Sequence, residues 1–103
     1  DEDMILALAR IQEIHGGCVI VADGKFLAEM PLTIGGLMTH APAQQAKEQL
    51  SGLHSALKTL NPTLDFHFLL TFSFVALPVI PALKLTDTGL FDVTTCQHIS
   101  VEA

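Results

Sequence analysis

"CVIVADGKFLAEM", residues 18–30, decides the fold of the first half of the chain. Two runs rich in β-forming residues flank Asp23-Gly24, the dipeptide best suited to the two-residue type I′ turn of a β-hairpin. With that turn, Val21 lies opposite Phe26 on one side of the hairpin. The sequence therefore predicts two antiparallel strands with a fixed register.

The same register gives the predicted hairpin two different sides. Val19 is expected opposite Ala28, on the wholly apolar side. The other side mixes apolar with charged residues, so we expect it to be the more exposed face. Its members are Ile20, Lys25, Leu27 and Glu29.

The segment before the hairpin predicts a helix that begins in the acidic residues 1–3 and ends at Gly16-Gly17. Acids are favoured in a first turn because the helix dipole attracts negative charge there. Apolar residues recur at spacings of three and four, which predicts one apolar stripe along the helix. The stripe comprises Met4, Ala7, Leu8, Ile11 and Ile14.

A second helix is predicted after the segment 31–42, whose prolines and Gly-Gly pair are typical of an ordered, partly apolar loop. Pro42 opens the helix and Asn61-Pro62 ends it. Two heptads are too few for a coiled-coil seam, so we expect this helix to pack on the hairpin. Its apolar stripe is Ala46, Leu50, Leu53, Leu57 and Leu60.

Residues 66–77, "FHFLLTFSFVAL", form the most apolar run in the chain. Phenylalanines at four even positions indicate a period of two and a buried strand, with a helix over part of the run as the alternative. A membrane span is rejected, because it needs roughly 20 apolar residues and a proline follows this run directly. The segment 84–103 predicts short extended pieces separated by an Asp-Thr-Gly turn.

These elements predict one small α+β domain over residues 1–103, since a chain of this length has room for one core. Two amphipathic helices are expected to pack on a mainly antiparallel sheet that includes the hairpin at about 18–30. Half of the residues are hydrophobic and only 16% are charged. Because about 25% is usual, we expect part of the surface to be covered in the native molecule.

The net charge excludes some classes of binding partner, and the cysteines indicate the cellular compartment. A formal net charge of −6 and the lack of a basic stripe argue against nucleic acid and against anionic membranes. Cys18 and Cys96 have no framework spacing, so we expect reduced, partly buried thiols in a cytoplasmic protein. The acidic start has no secretory signal and Met4 does not resemble a natural start, so we expect a piece of a longer protein.

Asp87-Thr88-Gly89 matches the signature of aspartic proteases, in which two carboxylates share a proton. Only fourteen residues follow Gly89, too few for the remaining strands and the flap of such an enzyme. A three-residue motif also has a high false-positive rate. We therefore favour a turn in which Asp87 bonds to local backbone and Gly89 takes a positive φ.

The histidines are scattered, without the H-x-H or H-x-x-x-H spacings that bring two imidazoles onto one metal. Asp65 and His67 are expected to share a strand face, where a salt-bridged or solvated pair is favoured over a metal or acid/base site. Cys96 and His98 are expected to share a face in an extended stretch, where inert packing is favoured over a nucleophile. His54 borders the leucine stripe and is expected to be partly buried.

Three blocks carry a family resemblance. The most specific is "LLTFSFVALPVIPALKLTDTGLFDV", residues 69–93; the others are "DEDMILALARIQEIHGGCVIVADGKFLAEMPL", residues 1–32, and "IGGLMTHAPAQQAKEQLSGLHSALKTL", residues 34–60. Together they resemble the C-terminal domain of bacterial adenine deaminases, members of the metal-dependent amidohydrolase superfamily. Thr88 stands where that family commonly has Arg, so one substitution explains the protease-like tripeptide.

The resemblance implies a longer parent protein that hydrolyses adenine to hypoxanthine and ammonia in purine salvage. Family catalysis uses histidines, acids and a divalent metal, manganese or iron, in an upstream (β/α)8 barrel. No catalytic or metal-binding residue can therefore be assigned to this chain, which alone is expected to be inactive. The implied partners are the upstream barrel, further copies of the parent in a homo-oligomer, and adenine as the parent's substrate.

Contacts with the barrel or with a neighbouring subunit are hypothesised for the Gly-Leu-Met loop and for the prolines of "ALPVIPAL", residues 76–83. A second hypothesis is that two aspartates face the substrate mouth of the barrel, although a turn role is favoured for each. The candidates are Leu37, Met38, Thr39, Asp87 and Asp92. The alternatives are a stand-alone binding or interaction module that shares the fold, and a self-contained hydrolase dimer that uses Asp87.

Overall fold

A computed structural model describes residues 2–77 and 82–101 of the chain, and within them it contains three helices and two antiparallel sheets. The predicted α+β class is confirmed. The prolines at 78 and 81 lie outside the described residues. The elements are α1 (Glu2–Glu13), β1 (Gly17–Ala22), β2 (Lys25–Pro31), α2 (Ala43–Leu60), α3 (Phe68–Ala76), β3 (Leu83–Thr86), β4 (Gly89–Asp92) and β5 (Gln97–Ile99).

The chain divides into two compact units, which we call the N-terminal unit (residues 1–64) and the C-terminal unit (residues 65–103). The N-terminal unit contains α1, the β1–β2 hairpin and α2, and both helices contact the hairpin. The C-terminal unit contains α3 and the sheet β3–β4–β5.

The hairpin forms at the predicted turn. Asp23 and Gly24 both have positive φ, 52° and 71°, as a type I′ turn requires. Val21 pairs with Phe26, which confirms the first predicted pair.

The second predicted pair, Val19 with Ala28, is wrong. The register shifts between Ile20 and Val21, so that Ile20 pairs with Ala28 and Leu27 is an extra residue on β2. Such a β-bulge moves every following side chain to the other face. Ile20 therefore lies in the core instead of on the more exposed face.

Polar contacts hold α1 on the hairpin. The Asp3 carboxylate accepts hydrogen bonds from the backbone N–H groups of Asp23 at 3.0 Å and Gly24 at 2.7 Å. Arg10 donates two hydrogen bonds to Glu29, at 2.7 and 2.9 Å. These contacts set which side of α1 faces the hairpin.

The predicted α1 stripe is only partly buried. Ala7, Ile11 and Ile14 are half-buried, whereas Met4 and Leu8 are exposed. The physical reason is the rotation of the helix about its axis, which the long-range polar contacts fix and which periodicity cannot reveal.

The helix ends before Gly16-Gly17, as predicted. Sterics also require glycine at position 17. Gly17 has a φ of 140°, and a Cβ at this position would lie 2.3 Å from the carbonyl oxygen of Met30. Only glycine permits this close approach of two backbones.

The second helix begins and ends as predicted. The Pro42 carbonyl accepts the Ala46 N–H at 2.9 Å, and the Asn61 N–H donates to the Leu57 carbonyl at 2.8 Å. Leu53 is fully buried. The core of the N-terminal unit comprises Ile20, Met30, Leu53 and Ala56.

The strand favoured for residues 66–77 is wrong, and the alternative of a helix over part of the run is confirmed, because residues 68–76 form α3. Phe68 and Phe72 are four residues apart, a spacing that fits a helix as well as a strand, and their ring centroids lie 4.3 Å apart. The hydroxyl of Ser73 donates a hydrogen bond to the Leu70 carbonyl at 2.7 Å, so this polar side chain has its partner within the helix. Asp65 and His67 precede the helix and share no strand face.

The sheet of the C-terminal unit is an antiparallel meander. The predicted short extended pieces are confirmed, and Gly89 has the predicted positive φ, 128°. Cys96 lies in the turn before β5, so it does not share a strand face with His98, and it is exposed where partial burial was predicted. Across residues 2–77 and 82–101, no helix is both long and apolar enough to cross a membrane.

Candidate functional site

A hydrogen-bonded loop presents Leu37 and Met38. Gly35 and Gly36 have φ values of 60° and 72°, which allow a tight turn from Ile34 to Leu37. The Leu37 N–H donates to the Ile34 carbonyl at 3.1 Å, and the Ile34 N–H donates to the Met38 carbonyl at 3.0 Å. Leu37 is 53% and Met38 59% exposed. The loop therefore holds two adjacent apolar side chains at the surface in a defined conformation.

Thr39, the third candidate in this loop, has a local contact. Its side chain is half-buried, and its hydroxyl accepts a hydrogen bond from the Ala41 N–H at 3.0 Å. This contact shapes the backbone just before α2, a common use of threonine near a helix start.

Asp87 lies exposed in the turn between β3 and β4. The hydroxyl of Thr86 bridges this turn, because it donates to the Gly89 carbonyl at 2.8 Å and accepts from the Thr88 N–H at 3.3 Å. Asp87 also lines an open depression of about 280 Å³ with Lys84. The Lys84 ammonium group donates to the Phe74 carbonyl at 2.7 Å, near the end of α3.

Asp92 organises the turn that follows β4. Its Oδ1 atom accepts hydrogen bonds from the Thr94 N–H at 2.8 Å, the Thr94 hydroxyl at 2.6 Å and the Thr95 N–H at 3.4 Å. The hydrogen bond from the Thr94 hydroxyl, with the others, lowers the pKa of Asp92 below its ordinary value. The carboxylate therefore has a structural use within the turn.

The two aspartates are not brought together. Asp87 precedes β4, whereas Asp92 is its last residue and pairs with Leu83 at the other end of β3. A strand rises about 3.3 Å per residue, so the two carboxylates lie at opposite ends of the β3–β4 ladder. They do not form the close pair that shared acid/base chemistry requires.

Sequence reasoning missed a contact of His98. Its Nε2 atom lies 2.9 Å from the Thr88 hydroxyl, and its ring meets Phe91 edge-on at a centroid distance of 5.2 Å. The register of β4 with β5, in which Phe91 pairs with His98, produces the ring contact. His98 thus ties β5 to the β3–β4 turn.

The residues that the structure describes do not fit a metal centre. In the part of the chain that the structure describes, no group of three or more His, Cys, Asp or Glu side chains could hold a metal ion. His54 is half-buried on α2, as predicted. Burial raises the pKa of the Cys18 thiol, which disfavours the thiolate that binds metals.

The exposed apolar surface extends well beyond the Leu37-Met38 loop. In α1 the exposed large side chains include Met4, Ile5 and Leu8, and in α3 they include Leu70, Phe72, Phe74 and Val75. The small charged fraction of the sequence is the signal for this surface, although it does not locate it.

Comparisons with known proteins give a consistent result. The family described as "Adenine deaminase C-terminal domain" matches residues 1–97. The chain is 87% identical over 103 residues to an adenine deaminase of Lysinibacillus sphaericus (strain C3-41), with 100% of this chain and 18% of that protein covered. It is 46% identical over 102 residues to an adenine deaminase of Bacillus subtilis (strain 168), with 99% and 18% covered.

A third relative gives the same result. An adenine deaminase of Brucella abortus (strain 2308) is 52% identical over 99 residues, which cover 96% of this chain and 17% of that protein. The chain therefore spans less than a fifth of the length of these curated relatives. No solved structure matches the chain significantly.

Proposed function

This chain belongs to the adenine deaminase C-terminal domain family, and from that membership we propose that residues 1–103 form the C-terminal, non-catalytic domain of an adenine deaminase. The observation that carries the proposal is the family match over residues 1–97, in a chain that spans only 18% of a relative with 87% identity. The remaining four fifths of such a parent would contain the catalytic barrel.

The reaction proposed for the parent is the hydrolysis of adenine to hypoxanthine and ammonia, as part of purine salvage in the cytoplasm. A divalent metal, manganese or iron, held by residues outside this chain would activate the attacking water. Asp87 and Asp92 lie in turns at opposite ends of β4, and we give neither a role at the reacting atoms. Neither the barrel nor a homo-oligomer of the parent is part of this structure, and both belong to the proposal.

The contribution proposed for this chain is mechanical support of the barrel or of a neighbouring subunit through Leu37 and Met38. Both side chains are more than half exposed on a loop whose backbone is fixed by hydrogen bonds. A fixed loop binds without a large loss of conformational entropy, which suits a permanent contact.

The activity is tested on the native gene product. An antibody against residues 1–103 should capture from the source cells a chain several times longer that releases ammonia from adenine. A captured product of about this length without such activity would contradict the proposal and favour a stand-alone binding or interaction module.

The supporting role is tested with the double substitution Leu37→Ser, Met38→Ser in the full-length enzyme. We expect lower thermal stability, a changed oligomeric state or reduced turnover, because serine removes the apolar contact without altering the glycine turn. Leu60→Ser is the matched control, since Leu60 is 49% exposed on α2, outside the loop. No change in any of the three properties would refute the role of the loop.

A further inference from the structure

Two polar contacts join α1 to the hairpin. Asp3 bonds to the β1–β2 turn and Arg10 forms a two-point ion pair with Glu29 on β2. Asp3 and Arg10 are seven residues apart, two helical turns, and therefore lie on the same side of α1. The two contacts fix the rotation of the helix about its axis.

That rotation directs the most apolar side of α1 to the solvent. Met4 is 71%, Ile5 70% and Leu8 61% exposed. Together with Ala7 and Ile11 they line an open depression of about 550 Å³, which has no charged side chain in its lining. We call Met4, Ile5 and Leu8 the outer α1 face.

We propose that the outer α1 face is the docking surface for the region of the parent chain that precedes this domain. This inference rests on the proposed function, because it requires a longer parent. The matched part covers less than a fifth of the relative, so more than four fifths of that protein lies outside it, and the description of the family as a C-terminal domain places this remainder mainly before it. α1 is the first element that this preceding region reaches.

The short tether favours this occupant over a second copy. Met4 lies within a few residues of the point at which the preceding region would join. A short tether gives an effective concentration on the order of millimolar, whereas a second copy lacks this covalent link. The apolar lining requires an apolar contact surface on the occupant.

The chain offers a matched pair of positions for the test. Leu8 and Ser51 are both exposed on helices, but Leu8 belongs to the outer α1 face, whereas Ser51 lies on α2. Leu8→Cys and Ser51→Cys are made separately in the full-length protein. Alkylation by iodoacetamide is followed by peptide mass spectrometry, which separates the new thiols from Cys18 and Cys96.

In the native full-length protein, the thiol introduced by Leu8→Cys should react at least about tenfold more slowly than the one introduced by Ser51→Cys, each relative to its own rate in urea. Equal protection factors would overturn the proposal. Because labelling needs no catalytic activity, it remains informative if the parent proves not to be a deaminase. Ammonia release from adenine by the unsubstituted protein tests the proposed function separately.

Crosslinking identifies the occupant. Benzoylphenylalanine is placed at position 5 of the full-length protein, and the irradiated product is digested and sequenced by mass spectrometry. A crosslink within one chain, to a residue that precedes Asp1 in the parent, is the expected result. A crosslink to a second copy, or no protein crosslink, would overturn the assignment.

Discussion

The two units of this chain bury apolar residues to very different extents. In the N-terminal unit, β1, β2 and α2 contribute four buried residues, Ile20, Met30, Leu53 and Ala56. Of the described residues of the C-terminal unit, only Phe68 is a buried core residue. The N-terminal unit therefore has an apolar core, whereas the C-terminal unit has mainly local contacts.

α3 shows what this difference means. Apart from Thr71 and Ser73 all of its residues are apolar, yet Leu70 is 58% and Val75 67% exposed. A helix that is apolar on every side is typical of a buried position. We therefore expect α3 to depend on contacts from the rest of the parent, while the N-terminal unit depends mainly on its own core.

The largest expected effect tests the core of the N-terminal unit. Leu53→Ala should lower the free energy of unfolding by about 2–5 kcal/mol, because it leaves a cavity at a fully buried position. Leu60→Ala, on the same helix but 49% exposed, should cost less than about 1 kcal/mol. Urea unfolding followed by circular dichroism measures both, and equal costs would contradict the assigned core.

Alanine substitutions at two glycines of the N-terminal unit should change its stability in opposite directions. Gly17→Ala should destabilise by about 1–3 kcal/mol or more, because its Cβ would meet the Met30 carbonyl at a positive φ. Gly52→Ala should stabilise by about 1 kcal/mol, since alanine favours the helix and a Cβ there meets no atom within 4 Å. Thermal unfolding measures the two shifts. A stable Gly17→Ala variant would show that the hairpin does not need this close approach.

Hydrogen exchange compares the units directly. In the 103-residue chain, we expect the backbone amides of α3 to exchange at least about tenfold faster than those around Leu53 in α2, because few buried contacts hold α3. In the full-length parent, the exchange of α3 should slow while that of α2 changes little. Equal exchange rates for α2 and α3 in the isolated chain would remove the contrast between the units.

Local chemistry explains which parts of the fold could be predicted. Asp23-Gly24 sets the hairpin turn, and Pro42 and Asn61 mark the ends of α2, because each acts on its own few residues of backbone. The bulge at Leu27 was missed, since apolar residues on both faces left the register weakly specified. A helix over part of residues 66–77 was only the alternative to a strand, because the spacing of the phenylalanines fits both periods.

Long-range contacts explain the rest, including the candidate site. The side of α1 that faces the hairpin depends on Arg10 and Glu29, which are 19 residues apart. The exposure of Leu37 and Met38 follows from a glycine turn that the sequence does show. Asp87 and Asp92 are separated because of the way β3 pairs with β4. Their spacing in the sequence does not reveal this pairing.

The smallest expected effects concern two carboxylates with lowered pKa values, one in each unit. The hydrogen bonds from Arg10 lower the pKa of Glu29, and those from Thr94 lower the pKa of Asp92. A carboxylate with a lowered folded-state pKa stabilises the fold above its unfolded pKa, roughly 4 for these residue types, and loses that contribution as the pH falls through the folded value. Both contributions should therefore be complete at neutral pH and disappear only in acid.

The consequences of acid should nevertheless differ, because the partners of the two carboxylates lie at different distances along the chain. Protonation of Glu29 weakens a contact between α1 and β2, whereas protonation of Asp92 weakens contacts with residues two and three positions away. We expect NMR spectra recorded as the pH falls below about 4 to show two kinds of change. Protonation of Glu29 should shift resonances along α1, whereas protonation of Asp92 should shift only those of the turn after β4. Arg10→Gln should return the Glu29 pKa towards its ordinary value without changing that of Asp92, and Thr94→Val should do the reverse. If Arg10→Gln leaves the acid response of α1 unchanged, the ion pair does not set the orientation of this helix, and the exposure of Met4, Ile5 and Leu8 must have another cause.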